Sequence, residues 1–297
     1  MELRVLRYFL AIAREENILR AAEAVHITQP SLSRQIAQLE EEVGTKLFIR
    51  GNRKITLTDA GVLLRRRAEE IVALADKAEK ELLDLGSGDV SGTISIGCGE
   101  LHAVEELAEI IREFSKKYPN VNFNFRSANA DSTKERIEKG LLDFGLLLEP
   151  VDYDKYDYIR MSAKEPWVVV MRADDPLCSK PHITAEDLRG RKLILPSRRI
   201  VWSELAGWFG DVFEEKNVFS SNNLMNNAVM LVEQGLGLAI GVEYSPSLYD
   251  PKRFCYKKLY PDLVSGAVMV WKKHQPFGMA AARFRDFVLM SERHTNL

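Results

Sequence analysis

The sequence predicts an α+β chain in three parts: a small, mainly helical head closed by a short hairpin, one long helix, and a run of alternating strands and helices. Three observations carry this. Two helix patterns lie almost end to end before Thr58 and are followed by two strand-like runs around Gly51-Asn52. From Asp59 to Leu85, apolar residues return every three or four positions. Beyond the polar, glycine-rich Gly86-Ser87-Gly88-Asp89-Val90-Ser91-Gly92, short apolar runs alternate with amphipathic stretches, the pattern of an α/β domain.

In the head, Leu3, Leu6, Leu10 and Ala13 form the inward stripe of a first helix. Ile18, Ala21, Ala22 and Val25 give a short second helix, and His26-Ile27 remain for a tight turn that leaves His26 partly buried. Thr28 can cap a third helix and Pro30 fits its first turn, where an N–H lacks a partner anyway. Leu32, Ile36, Leu39 and Val43 then define its apolar face, while Gln29, Ser33 and Arg34 lie on the other, near the N-terminal end. Two helices joined this closely, the second with a polar N-terminal half, read as a helix-turn-helix. Leu47 to Thr58 folds back on itself at Gly51-Asn52 with basic residues at the tip, which is a wing.

The long helix begins at Thr58-Asp59, with Thr58 as cap and Asp59 at the positive helix end. Leu64, Ala68, Ile71, Ala75, Ala78, Leu82 and Leu85 have the spacing of a helix packed on its twin; the alternative is packing on its own domain. Strands are expected at Thr93–Gly97, Val121–Phe125, Leu142–Leu148, Trp167–Met171, Lys192–Leu195, Asn217–Ser220, Leu238–Val242 and Val264–Trp271. Helices are expected around Val104–Phe114, Ser132–Lys139, Trp202–Lys216, Asn223–Gln234 and Phe277–Met290. The last strand and helix return to the first group, which makes two lobes.

Composition narrows the function. With 46% apolar and 28% charged residues in 297, the chain reads as globular, and its length calls for two or three domains. No stretch approaches the roughly 20 apolar residues a bilayer crossing needs, and Arg4, Arg7 and Arg14 interrupt the only early apolar run, so no membrane partner and a cytoplasmic location are expected. Cys98, Cys178 and Cys255, far apart and odd in number, suit reduced thiols. A net charge of −2 argues against indiscriminate nucleic-acid binding, but Lys46, Arg50, Arg53, Lys54, Arg65, Arg66 and Arg67 face Asp59 alone between Thr45 and Arg67.

Residues 3–64 resemble the winged helix-turn-helix of the LysR-type transcriptional regulators. The resemblance rests on Phe9, Ala21-Ala22, Gln29-Pro30, Ser33, Leu39-Glu40, Gly44, Leu47-Phe48, Arg50, Leu57-Thr58 and Ala60-Gly61 in fixed register. Asn17-Ile18-Leu19-Arg20 departs from the Gly-Ser-Phe-Thr of many members, so the cap falls to Asn17. The rest is similar to the family's effector-binding domain, itself like periplasmic binding proteins. There the signatures are Gly92-Thr93-Ile94-Ser95-Ile96-Gly97, Tyr118-Pro119-Asn120-Val121, Gly140-Leu141-Leu142-Asp143, Asp175-Pro176-Leu177 and Val232-Glu233-Gln234-Gly235-Leu236-Gly237. The organisation implied is a DNA-binding domain at 1–58, a dimerisation helix at 59–85 and a linker at 86–92. Lobe I follows at 93–160 and 266–297, with lobe II at 161–265.

A one-component transcription factor is therefore expected, with double-stranded operator DNA, a small-molecule effector and further copies of itself as partners. The resemblance implies dimers or dimers of dimers, and RNA polymerase as a partner if the protein activates. In the major groove Gln29 can pair with adenine, Arg34 with guanine, Pro30 with a thymine methyl, and Ser33 with a base or phosphate; Ser31 belongs to the same surface. Arg50, Arg53 and Lys54 on the wing can neutralise phosphates or enter the minor groove. Effectors of open α/β sheets lie beyond the carboxyl ends of strands. Those ends supply Cys98, Gly99, Glu100, His102, Asn129, Ser197, Arg198 and Asn222. Arg198 suits a carboxylate or phosphate and Glu100 an amine, a hint of a zwitterionic ligand. Cys98, at an expected helix start, admits either a redox role or a small pocket-wall residue.

No cofactor or metal is expected, since the five histidines lack ligand spacing. Gly235-Leu236-Gly237 precedes a strand instead of following one, unlike a dinucleotide loop. No nucleophile–base pair supports an enzyme. A solute-binding module without DNA binding is the other reading.

Overall fold

A computed structural model describes residues 1–51, 54–85 and 89–295. The chain separates into two compact units, Met1–Leu83 and Asp84–Leu297. In the first, α1 (Leu3–Glu15), α2 (Ile18–Ala24) and α3 (Gln29–Glu42) precede a hairpin of β1 (Phe48–Arg50) and β2 (Ile55–Leu57). The long helix α4 (Asp59–Leu85) follows. Phe9, Ile12, Ala21, Leu32, Ile36, Leu39 and Leu47 close a core that Ala68 of α4 completes.

Local chemistry explains most of the boundaries. Asn17 Oδ1 accepts the Leu19 and Arg20 amides at the start of α2. Thr58 Oγ1 accepts the Gly61 amide and donates to the Lys46 carbonyl. Thr28 takes the N-cap position of α3 in extended conformation, but its hydroxyl makes no capping bond; Pro30 in the first turn already lacks the donor. His26 stands in the left-handed region at φ 55° and is exposed, not packed, because the turn directs its side chain outward. Val43 is 39% exposed: it is the C-cap of α3, where the apolar stripe has already left the core. Glu40 is a buried member of α3, accepting the Leu47 and Phe48 amides and Lys46 Nζ, and so fixes the start of the hairpin. Its carboxyl is raised by burial, yet the bonds from Lys46, Leu47 and Phe48 outweigh this and hold it below its ordinary range.

The second unit opens with β3 (Gly92–Cys98), α5 (Ala103–Lys117), β4 (Val121–Ser127), α6 (Ala130–Glu138) and β5 (Phe144–Leu148). The single strand β6 (Tyr156–Arg172) then runs for 17 residues. After two 3₁₀ turns come β7 (Leu193–Pro196), α7 (Arg199–Phe209), β8 (Val218–Asn222), α8 (Met225–Glu233), β9 (Leu238–Val242) and the short α9 (Tyr244–Ser247). β10 (Phe254–Lys258), β11 (Val264–Lys272) and α10 (Met279–Thr295) complete it. The sheet order is β4-β3-β5-β11-β6-β9-β7-β8, with β10 also on β6. β3 is parallel to β4 and β5, and β7 to β8 and β9, whereas β6, β10 and β11 pair antiparallel. β6 meets β11 along its first part and β9 and β10 along its second, so one strand serves both lobes. Phe114, Phe144, Trp271 and Phe284 fill one lobe; Trp167, Leu195, Leu205 and Ile240 fill the other.

Several expected elements change length. The stretch expected as a helix to Lys216 ends at Phe209, where Gly210 turns at φ 55° and short 3₁₀ turns take over. The strand expected at Trp167–Met171 is the distal half of β6, and β10 was missing from the sequence reading. α6 lies close on the sheet through Thr133: a Cβ on Gly97 or Gly145 would stand 2.6 or 2.8 Å from its methyl carbon. Gly86 to Gly88, within the expected linker, lie outside the described residues. Among the described residues no helix is long and apolar enough to cross a membrane.

Candidate DNA-reading face and effector cleft

On the head, the first turns of α3 carry the side chains singled out in the sequence. Pro30, Ser31 and Arg34 are exposed, and Gln29 and Ser33 are half-buried. Gln29 Nε2 donates to Ser33 Oγ at 3.2 Å, one helical turn on, which orients both polar groups along the same edge. Lys54 Nζ lies 3.3 Å from Glu16 Oε2, and the Ile55 amide donates to the Glu16 carbonyl, so the wing is tied to the end of α1. Arg50 belongs to β1, but its side chain, like the whole of Arg53, lies outside the described residues.

In the second unit a cavity opens between the lobes, with room for water-molecule centres over about 120 Å³. The carboxyl ends of β3, β5, β7, β8 and β9 supply its walls. Of the eight residues expected there, Gly99, Glu100, Asn129, Ser197, Arg198 and Asn222 line it. Cys98 and His102 do not. Cys98 is the last residue of β3 and points into the core at 6% exposure; the helix it was expected to start begins five residues later, at Ala103. Burial pushes its thiol above the ordinary range, the opposite of redox activation. His102 turns aside, its ring edge-on to Tyr244 and its Nε2 3.9 Å from Glu243 Oε2.

The two charged residues of the lining are already engaged across the cleft. Glu100 accepts the Met225 amide at 3.0 Å and Asn226 Nδ2 at 2.7 Å, so a carboxylate from one lobe meets the N-terminus of α8 in the other. Arg198 is 7% exposed, and its two terminal nitrogens donate to the Leu148 and Pro150 carbonyls at 3.0 and 2.9 Å. Its Nε stands 3.7 Å from Asp131 Oδ1 without a hydrogen bond. Burial lowers the guanidinium pKa, and nearby Asp131 and Glu204 counter this. Asn129 Oδ1 caps α6 on the Ser132 amide.

Sequence reasoning missed the apolar wall: Leu146, Trp167, Leu195, Met225, Ile240 and Val242. As residues of buried strands and a helix start, they carry no signal that separates a cavity wall from a core. Two of the cysteines come together in space. Cys178 and Cys255 are distant in sequence but their thiols meet, and burial together with that neighbour pushes Cys178 up to about 12. All three cysteines are free.

A winged head with an exposed recognition-helix end, joined in one chain to two lobes around a ligand-sized cavity, defines a transcriptional regulator that carries its own effector domain. The sequence comparisons give the family. Residues 3–62 match the bacterial regulatory helix-turn-helix protein model of the lysR family, and residues 87–292 match the LysR substrate binding domain. The chain belongs to the LysR family of transcriptional regulators: a DNA-binding protein with an effector-binding domain, whose family and fold are not those of an enzyme. It is 32% identical over 300 residues to the Hca operon transcriptional activator HcaR of Escherichia coli (strain K12), covering 99% of this chain and 98% of that protein. It is 31% identical over 260 residues to the HTH-type transcriptional regulator AlsR of Bacillus subtilis (strain 168), covering 84% and 83% respectively. Among solved structures, CbnR, a LysR family transcriptional regulator, matches with TM-score 0.76 at 21% identity over 98% of this chain and 99% of that one. CbnR complexed with its target DNA matches with TM-score 0.71 at 22% identity over 98% and 100%.

Proposed function

We propose that α3 enters the major groove of an operator and reads base edges with Gln29, Pro30, Ser31, Ser33 and Arg34. Arg50, Arg53 and Lys54 of the wing take phosphates, and the effector sits in the cleft between the lobes. The observation that carries the DNA part is the first half of α3: Arg34, Pro30 and Ser31 are exposed on one helix end while Leu32, Ile36 and Leu39 anchor the other side in the core. A side chain held this way meets base edges without rearranging the head.

In this reading residues 1–58 bind DNA, 59–85 dimerise, 86–92 link, and 93–160 with 266–297 and 161–265 form the two effector lobes. α4 supports the dimer. Ala68 is buried against the head, as in the packing alternative, yet Ile71, Leu74 and Leu82 remain 43, 46 and 69% exposed along the rest of the helix. A second copy is the occupant that fits such a stripe. The protein acts in the cytoplasm, where its operator lies, and engages RNA polymerase if it activates. Effector binding shifts the balance between lobe arrangements and so between DNA-binding states.

Arg34→Ala is expected to weaken binding to the cognate operator by about 1–3 kcal/mol and to relax sequence preference at one base pair. Fluorescence anisotropy on operator and scrambled duplexes checks this; equal weakening on both would remove Arg34 from base reading.

A further inference from the structure

We infer that the cleft takes a small, singly anionic organic acid with an apolar body, its carboxylate held by Arg198 and Asn222. The inference rests on the cleft being the effector site and adds the chemistry of what fills it.

The polar supply of the cavity is one-sided. Within its lining, Arg198 Nε and Asn222 Nδ2 are buried without a hydrogen-bond acceptor. Thr133 Oγ1 and Gln275 Oε1, buried polar atoms elsewhere in this unit, lie outside the lining. A buried donor without an acceptor is costly, more so when charged, and a ligand that brings lone pairs recovers that cost. The two donors belong to neighbouring strand ends. Pro196 pairs with Asn222 in the β7–β8 ladder, and the Ser197 amide donates to the Asn222 carbonyl at 2.8 Å. The Leu148 and Pro150 carbonyls hold the two terminal nitrogens of the Arg198 guanidinium, and Nε, 3.7 Å from Asp131 Oδ1, makes no hydrogen bond. Asp131 and Glu204 are the carboxylates near this guanidinium, and Arg198 hydrogen-bonds neither. The Asp131 side chain is 59% exposed, so water screens its charge more than that of a ligand carboxylate inside the cavity.

The same inventory disfavours an amine. Glu100 is the acidic side chain of the lining, and each of its oxygens already accepts one hydrogen bond from α8. An ammonium group would enter facing donors and hydrocarbon and would have to share the Glu100 carboxylate with the N-terminus of α8. The zwitterionic ligand hinted at by Arg198 and Glu100 in the sequence therefore gives way to a plain acid. Leu146, Trp167, Leu195 and Ile240 provide the apolar surface for its body.

Calorimetric titration of the full chain with hexanoate, hexanamide and norleucine separates these chemistries at one chain length. Hexanoate is expected to bind at least about tenfold more tightly than hexanamide, with norleucine weaker still. Asn222→Asp, which replaces a donor by a like charge, is expected to cost hexanoate about tenfold or more and to leave hexanamide little changed. Circular dichroism melts verify that the variant folds. Failure of hexanoate to bind, equal binding of all three, or hexanoate binding indifferent to Asn222→Asp would each overturn the inference. Ser197→Trp fills the mouth of the cleft and tells the two levels apart. Binding that survives it lies elsewhere and sinks the cleft as effector site; binding that it abolishes but Asn222→Asp spares sinks only the anion chemistry.

Discussion

The head caps its helices from nearby residues, whereas the two-lobed unit adds carboxylates from far along the chain to local caps such as Asn129 on α6. In the head the partners are close in sequence: Asn17 serves the Leu19 and Arg20 amides, and Thr58 serves Gly61. In the two-lobed unit, carboxylates do much of this from far away. Glu165, fully buried in β6, accepts the His102 and Ala103 amides at the start of α5. Glu106 of α5 returns the arrangement on Ser162 and Ala163 of β6, and Glu100 reaches α8. Local caps form with the helix itself. Remote carboxylates bond only after the sheet and helices have packed, so they report tertiary structure. Glu100, which spans the cleft, reports the relation of the lobes.

The comparison breaks most sharply at Glu165. Glu165→Ala leaves two buried amides without acceptors, and a loss of about 3 kcal/mol is expected in chemical denaturation of the full chain. A loss below about 1 kcal/mol would mean water replaces the carboxylate, and the remote cap would count for no more than a local one. Burial raises the Glu165 pKa above its unfolded value, and the bonds from Ala103 and His102 only partly counter this. The sign follows: its contribution is fullest below an unfolded value of about 4.3 and declines as pH rises through the elevated folded value. Glu165→Gln is expected to flatten stability against pH in that window. An unchanged profile would show that Glu165 titrates as an exposed carboxylate does.

Glu40 is the intermediate case, seven and eight positions from the amides it holds. Glu40→Gln is expected to cost about 1–2 kcal/mol at pH 7. Because its folded pKa is depressed, that difference is present above about 4.3 and disappears as pH falls through the folded value, which urea titrations at pH 3 and 7 would reveal. Asn17→Ala should have the smallest effect, about 1 kcal/mol, read as a lower melting temperature with no pH dependence. A cost matching that of Glu165→Ala would erase the distinction between near and remote caps.

That distinction also explains what the sequence made legible. The helix-turn-helix, the wing, the long helix and most strands follow from short-range periodicity and turn chemistry, and these emerged in their places. Asn129, Ser197 and Asn222 could be put at the cavity because strand ends are visible in sequence. Their bonding was not visible: Glu100 looked free to bind an amine, whereas its partners Met225 and Asn226 lie more than a hundred residues away. Likewise Cys98 resembled a helix-start thiol because one residue decides whether a side chain at a strand end faces the cavity or the core. β10 was missed because Phe254–Lys258 is half polar, and only pairing with β6 makes it a strand.

The route of the chain has a consequence for synthesis. β5 pairs with β11, Leu147 beside Val268, yet the whole second lobe lies between them in the chain. On the ribosome, then, the lobe that starts first is completed last. The strand between β5 and β6 is missing until β11 emerges, while the later lobe has β6 to β10 in hand. Nascent chains halted with β10 exposed but β11 still enclosed are expected to resist protease within 167–258 and to be cut within 92–148. Equal protection of both segments would mean that the first lobe closes without β11.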